Sequence, residues 1–253
     1  MGRVSPLSPV PAIFDASGVF ETCRVEKGKV LHREEHLRRL QASLKTAGIF
    51  SWDEASVRRE LGRAAAGMRR GFVRVAVRRA GDPRFLVYRH PGLPYSSRDL
   101  RRGIEIRTVA ARWPSGESSW AQAKLSERLG GALARAEAPE SPDVLRLGPH
   151  GYLTEGTVSN LFFVKEGTLT TAPTWIGVLE GVTRANVIRA ARRLKIPVRV
   201  TPFGRHDLFN AEETFLTNVL MGVLPVSVVD GRRIGGRAPG PVTRKLMREI
   251  SGR

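Results

Sequence analysis

Sulfur, aromatics, acid and long apolar runs are all scarce in this chain, and each shortage removes a class of function. A single cysteine, Cys23, rules out an internal disulfide. That agrees with a reducing compartment and leaves Cys23 as a small packing residue. No apolar run approaches the roughly 20 residues that a membrane helix requires. The opening MGRVSPLSPVPAIF lacks the basic, long apolar and cleavage regions of a signal peptide. The expectation is a cytoplasmic chain with no membrane partner. Acidic residues number 24 against 42 lysines and arginines, for a formal charge of +18. So basic a chain raises the question of nucleic acid, but the arginines are scattered, with no interleaved aromatic platform and no zinc or helix-turn-helix spacing. We therefore expect no metal, no specific nucleic acid, and a solvated Arg-rich surface that at most assists anionic substrates.

What is present is 253 residues, 41% hydrophobic, without internal repeats or low-complexity tracts. This is enough for one large domain or two modest ones, and we read two. Residues 18–31, GVFETCRVEKGKVL, predict two short strands around the Lys27-Gly28 turn. Leu37, Leu40, Leu44 and Ala47 recur at helical spacing within 34–48, and Gly48 suits a C-cap. Ser51 with Glu54 predicts a capping box for a second helix running to about Met68. FVRVAVRRA and RFLVYRH read as strands around the turn Gly81-Asp82-Pro83. A strand at 103–109 leads into RWPSGESSW, whose Pro, Gly and Ser mark a joint between domains. Beyond it we expect a helix over 121–137 and strands at 144–147, 161–165 and 168–171. A helix follows after Gly181, then strands at 197–202 and 213–217 and a closing helix over 241–250. The divisions are 1–110 for a small α/β domain, 111–119 for a linker and 120–253 for a larger α+β domain.

The stretch 151–184, GYLTEGTVSNLFFVKEGTLTTAPTWIGVLEGVTR, carries the chemistry. Its order of acid, hydroxyl and amide residues and a Gly-Val-Thr turn suits an organic phosphate cofactor. Backbone N–H groups at the start of the helix after Gly181, with the Thr183 hydroxyl, are natural phosphate ligands. Arg39 can add a bidentate cation. Glu155 can sit against a pyridine nitrogen and favour the charged ring, and Lys124, just past the joint, offers an amine for an aldehyde. Together these are the services that pyridoxal phosphate needs. Arg24 and Arg79 are candidates for a substrate carboxylate. His36 and His206 receive no chemical role.

These residues resemble the class IV, fold type IV pyridoxal phosphate enzymes, which include branched-chain aminotransferases, D-amino acid aminotransferases and 4-amino-4-deoxychorismate lyases. The resemblance runs from Gly18 onward through GVFETCRV, EEHLRRLQAS, AKLSERL, TEGTVSNLFFVKEGTL and GVLEGVTR. It implies a two-domain α/β homodimer, with the cofactor in the interdomain cleft and a loop of the partner subunit closing it. Lys124 would be the Schiff-base lysine, Glu155 the partner of the ring nitrogen, and Arg39, Val182 and Thr183 the phosphate ligands. Ser159 and Asn160 would lie in the turn beneath the cofactor, Asn160 in a structural role.

Two segments depart from the family pattern. The approach to the first motif reads DASGVF instead of an acidic Gly-Asp-Gly type segment. The late phosphate segment reads ETFLTNVLMGVLPV, placing Asn218 and Val219 where aminotransferases present a hydroxyl, so that backbone N–H groups would replace it. That segment resembles the lyases more than the aminotransferases, and Arg128 and Leu129 after Lys124 lean the same way. Phe20 stands where D-amino acid aminotransferases tend to carry Tyr. The implied activity is conversion of 4-amino-4-deoxychorismate to 4-aminobenzoate and pyruvate. The alternatives are a class IV aminotransferase acting on branched-chain or D-amino acids with 2-oxoglutarate, and a catalytically silent or nucleic-acid-associated relative.

Overall fold

The computed structural model describes residues 18–50, 52–78, 85–112, 119–125 and 129–251. Ser51, the turn Gly81-Asp82-Pro83, Arg79, Arg128 and most of the expected linker lie outside them. The chain divides into two compact units, one comprising Met1–Pro94 with Ala123–Arg128 and the other Tyr95–Gln122 with Leu129–Arg253. The division differs from the sequence expectation at both ends. The strand at 104–112 joins the second unit, and Lys124 joins the first.

In the first unit, β1 (Val19–Glu26), β2 (Lys29–Val30), β3 (Arg70–Val77) and β4 (Phe85–Pro91) form an antiparallel sheet in the order β2-β1-β3-β4. The β1–β2 turn puts Lys27 at φ 49° and Gly28 at φ 74°. Positive φ at both central residues is the tight hairpin geometry that matches strand twist. Helices α1 (Arg33–Thr46) and α2 (Glu54–Ala65) belong to this unit. Their Leu37, Leu40, Leu44, Val57 and Leu61 pack with Val19, Cys23, Val25, Val73, Val75 and Val77 of the sheet. Asp53 caps α2, its carboxylate accepting from the N–H of Ser56 at 3.0 Å, so the expected cap at Ser51 moves two residues on. Because side chains alternate across a strand, the opposite face of this sheet carries Phe20, Thr22 and Arg24 beside Phe72, Arg74 and Ala76.

The second unit begins with α3 (Ser97–Arg102) and β5 (Ile104–Arg112). A short 3₁₀ turn at Ser119–Gln122 and α4 (Leu129–Ala136) replace the continuous helix expected over 121–137. Then come β6 (Val144–Leu147), β7 (Leu153–Gly156), β8 (Asn160–Lys165) and β9 (Thr168–Thr171). After them run α5 (Val182–Arg193), β10 (Val198–Val200), α6 (Arg205–Phe209), β11 (Glu213–Asn218), β12 (Gly222–Val229), β13 (Arg232–Arg233) and α7 (Pro241–Ser251). The path β8-β11-β12-β5-β6-β7 returns to β8 through the pair Glu155↔Asn160, so six strands close into a ring. Ile106, Leu145, Leu147, Leu153, Leu161, Leu216 and Leu224 form one core with Phe203 and Leu208. A second core sets Val187, Ala190 and Ala191 of α5 and Leu246 of α7 against Phe162, Val164 and Phe215. β5 belongs here because it pairs in parallel with both β12 and β6.

Helix α7 is fixed through β11. Buried Glu213 accepts from the N–H groups of Val242 and Thr243 at 2.9 and 2.7 Å, satisfying donors that a helix start leaves unpaired. A Cβ at Gly240 would sit 2.2 Å from the Glu213 carboxyl carbon. Glu213→Ala should therefore lower stability by about 1–3 kcal/mol, read as a reduced denaturation midpoint. An unchanged midpoint would show that the cap is dispensable.

Candidate active site

Glu155 and Asn160 face each other where the ring of strands closes. Asn160 donates through Nδ2 to Glu155 Oε2 at 2.9 Å and to the Leu179 carbonyl at 2.9 Å. The Leu179 N–H donates to the same Oε2 at 3.1 Å, and Arg146 Nη2 reaches Oε1 at 3.1 Å and the Gly156 carbonyl at 3.1 Å. Glu155, Asn160 and Arg146 are all buried. Three donors thus fix the orientation of one carboxylate. Burial pushes the Arg146 guanidinium below its ordinary range, and the charges of Glu155 and Asp143 pull it back. The sequence reading missed Arg146. A lone Arg in the otherwise apolar strand VLRL was the signal, since a buried cation needs an anionic partner.

The β7–β8 turn hangs on a second buried carboxylate, Asp143. Asp143 Oδ1 accepts from the Thr157 N–H at 2.9 Å and the Thr157 hydroxyl at 2.6 Å, and Oδ2 accepts from the Ser159 hydroxyl at 2.5 Å. Ser159 therefore shapes the turn through its side chain. Asn218 does the same one strand away. Its Nδ2 donates to the Val158 carbonyl at 3.1 Å, and its Oδ1 accepts the N–H groups of Leu220 and Met221 at 2.9 Å each. The Asn218 amide is committed to these contacts, and Val219 sits half-buried in the turn they close. The Tyr95 phenol nearby is pushed up to about 12 by burial and by the charge of Asp143, although a bond with Asn218 opposes this.

Gly181 is the N-cap of α5, and no side chain caps that helix. Val182, Thr183 and Arg184 in its first turn are buried. A buried, uncapped helix start leaves N–H donors aimed outward, which is how proteins hold phosphate. A Cβ at Gly181 would lie 2.1 Å from Asn160 Oδ1. The start of α5 and the Glu155 carboxylate thus lie to either side of Asn160. Arg184 turns away and donates to the Ala172 carbonyl at 2.9 Å, while burial holds its guanidinium below its usual range.

In the first unit, Lys124 is extended, not helical. Its N–H donates to Ser43 Oγ at 3.1 Å, its carbonyl accepts from the Phe20 N–H at 3.0 Å, and Leu125 bridges to Val19. Leu125 packs into the sheet core, and this tertiary anchor outweighs the helix propensity of the segment. The Lys124 ammonium lies 4.6 Å from the centre of the Phe20 ring. Arg39 meets Glu21 bidentately, Nε at 2.6 Å and Nη2 at 2.9 Å, and His36 Nδ1 is 2.9 Å from the same carboxylate. Burial alone would raise the Glu21 carboxyl, but the charges of Arg39 and then His36 hold it far below the usual range. His36 is thus a buried partner of the Glu21 carboxylate. Arg24 is ion-paired with Glu26 on its own strand face. Arg74, which sequence reasoning passed over, is buried on the same face. It donates to Thr22 Oγ1 at 2.9 Å, with its guanidinium 5.2 Å from the Phe20 ring centre and 5.9 Å from that of Phe72. Phe72 stacks on His90 at 4.8 Å. His206 lies exposed in α6. Among the described residues no cluster of potential metal ligands occurs, and no helix is long and apolar enough to cross a membrane.

The model of the family described as amino-transferase class IV matches residues 18–229, most of the chain. This chain belongs to the class IV aminotransferase family. It is therefore an enzyme of a pyridoxal phosphate-dependent family, with the fold type IV architecture. A Methanocaldococcus jannaschii protein described as a branched-chain-amino-acid aminotransferase is 30% identical over 248 residues, covering 90% of this chain and 84% of the relative. A Thermotoga maritima protein described in the same way is 39% identical over 154 residues, covering 61% of this chain. That match spans 56% of the Thermotoga protein's length. Among solved structures, the 4-amino-4-deoxychorismate lyase of Pseudomonas aeruginosa superposes with a TM-score of 0.84 at 26% identity, covering 98% of this chain and 97% of that one.

Two measurements check this geometry. The depressed Glu21 carboxyl contributes stability above the ordinary Glu value of about 4.3, and that contribution fades as pH falls below it. Wild-type stability should drop between about pH 5 and pH 3, whereas Glu21→Gln, weaker at neutral pH, should drop less over that range. Parallel pH profiles would overturn the assignment. Gly181→Ala should lower pyridoxal phosphate retention about 10-fold by pushing on Asn160, with the far-UV spectrum intact; undiminished retention would refute the coupling.

Proposed function

We propose that the enzyme is an aminodeoxychorismate lyase, releasing 4-aminobenzoate and pyruvate. The observation that carries this reading is Asn218. Where transaminase-like segments offer a side-chain hydroxyl to the phosphate, this chain spends an amide on closing its own turn. The end-to-end superposition on the Pseudomonas lyase supports the same choice. So does the face carrying Phe20, Phe72, His90 and Arg74, since flat rings beside a guanidinium suit a planar ring bearing a carboxylate. In this reading Arg74 takes the carboxylate role, because Glu26 already engages Arg24. Arg79 is kept as a second candidate.

Each unit, taken by itself, carries residues whose chemistry suits the cofactor. Val182, Thr183 and backbone N–H groups of α5 would hold the phosphate, with Arg39 pre-aimed by Glu21 and the Val219 turn contributing main-chain donors. Glu155 would face the ring nitrogen, with Asn160 and Arg146 holding it and Ser159 shaping the turn. Pyridoxal phosphate, when bound, supplies the electron sink for the carbon that loses its proton. Lys124 Nζ would carry the covalent attachment and, once the substrate amine has displaced it, would as general base remove the ring proton at the carbon bearing the nitrogen while the enolpyruvyl group departs from the neighbouring carbon as pyruvate. The favoured assembly is a cytoplasmic homodimer, for which Trp120, Leu133 and Trp175 offer exposed apolar surface.

The second reading, a branched-chain aminotransferase, is favoured by the two curated relatives. Incubation with aminodeoxychorismate should yield pyruvate and 4-aminobenzoate, and Lys124→Ala should lose both products and the borohydride-sensitive visible band. Turnover only of amino acids with 2-oxoglutarate would replace the lyase by the aminotransferase. A colourless protein that takes up no cofactor would leave the silent relative.

A further inference from the structure

The net charge of +18 has no role in the site above, and one place concentrates it. Arg101, Arg102, Arg233 and Arg237 line a cavity of about 510 Å³ in the second unit, with Ser227, Gly236 and Ala238 as its remaining walls. The walls are fixed by packing. A Cβ at Gly103 would lie 3.1 Å from the Ser227 nitrogen and 3.2 Å from Ala238 Cβ, and one at Gly235 would lie 1.8 Å from the Glu212 carbonyl oxygen. Ile234, between Arg233 and Gly235, is buried and donates its N–H to the Ser227 carbonyl at 3.0 Å.

Several other arginines of this chain meet acids, as in Arg58 with Glu34 and Glu54, Arg63 with Glu60, and Arg193 with Glu249. Around this cavity they do not. Among the described residues no carboxylate pairs with Arg101, Arg102, Arg233 or Arg237, and the acids of the surrounding elements are engaged elsewhere. Asp99 is in the α3 capping box, Glu105 meets Arg107, Asp230 holds Thr108, and Glu212 accepts the Glu166 N–H. These four arginines are exposed and line one hollow, where like charges repel each other and a multivalent anion would relieve that repulsion.

We propose that this cavity binds a small anion with several adjacent negative charges, of the oligophosphate class. Guanidinium forks match phosphate oxygens two at a time, so four of them exceed what a single phosphate can engage. The volume falls within the roughly 300–1,000 Å³ of small-ligand sites. The site shares no residue with the cofactor set and does not depend on the lyase reading.

Calorimetric titration of the full chain with inorganic tripolyphosphate, after loading with pyridoxal phosphate and at about 0.15 M salt, tests it. One ion per chain is expected, with the same affinity in Thr183→Ala, which separates this site from the cofactor's phosphate. Arg101→Gln/Arg237→Gln should weaken binding about 10-fold or more. Arg192→Gln/Arg199→Gln, an equal loss of exposed charge, should change it about 2-fold or less. Equal losses in the two double variants, or no saturable binding, would overturn the site in favour of diffuse surface charge. A single-stranded oligonucleotide binding more tightly through Arg101 and Arg237 would overturn the small-anion assignment.

Discussion

Glu155 is a buried carboxylate on a sheet that has to close on itself, and the closure is made at that residue. The pair with Asn160 brings the last strand of the ring back to the first. Asn160, Leu179 and Arg146 then surround the carboxylate with donors, so that ring closure and orientation of the acid are one event. Removing any one donor would leave a desolvated charge under-satisfied, which is more costly than the net worth of one hydrogen bond. Asp143 and Asn218 extend the arrangement, one bracing the β7–β8 turn from the start of β6 and the other from the end of β11.

The first unit repeats the device with a different outcome. Glu21 is as deeply buried, but its partners Arg39 and His36 come from a helix, so the carboxylate aligns a cation. In one unit fixed donors orient an acid, and in the other a fixed acid orients an arginine. Both depend on low-dielectric surroundings, where directional contacts strengthen and misplaced charge is expensive.

Legibility in the sequence followed locality. The Lys27-Gly28 hairpin, the strands Val144–Leu147 and Thr168–Thr171, and the helix after Gly181 were readable because turn chemistry and periodicity act over a few residues. β12 was not read, since Pro225 interrupts LMGVLPVSVV and is tolerated next to an irregularity in the β5 pairing. β5 was placed in the wrong unit because its parallel partners lie far away in sequence. Lys124 looked helical because Ala-, Leu- and Glu-rich residues surround it; Leu125 packing decided otherwise. Glu155 and the Gly181-Val182-Thr183 turn were singled out by their order, and Asn160 by the family resemblance. Arg146 and Arg74 were lost among many arginines, because burial, which sets them apart, is not visible in composition.

Three residues separate β7 from β8, and side chains alternate along both strands. Adding one residue there would reverse which face Glu155 or Asn160 presents, since a one-step slip in a strand flips every side chain. A lineage carrying this hairpin has little freedom to lengthen it. In the lyase reading, change in what the enzyme accepts falls instead to the face of the small sheet carrying Phe20, Arg74 and Phe72, which belongs to a different sheet from the ring.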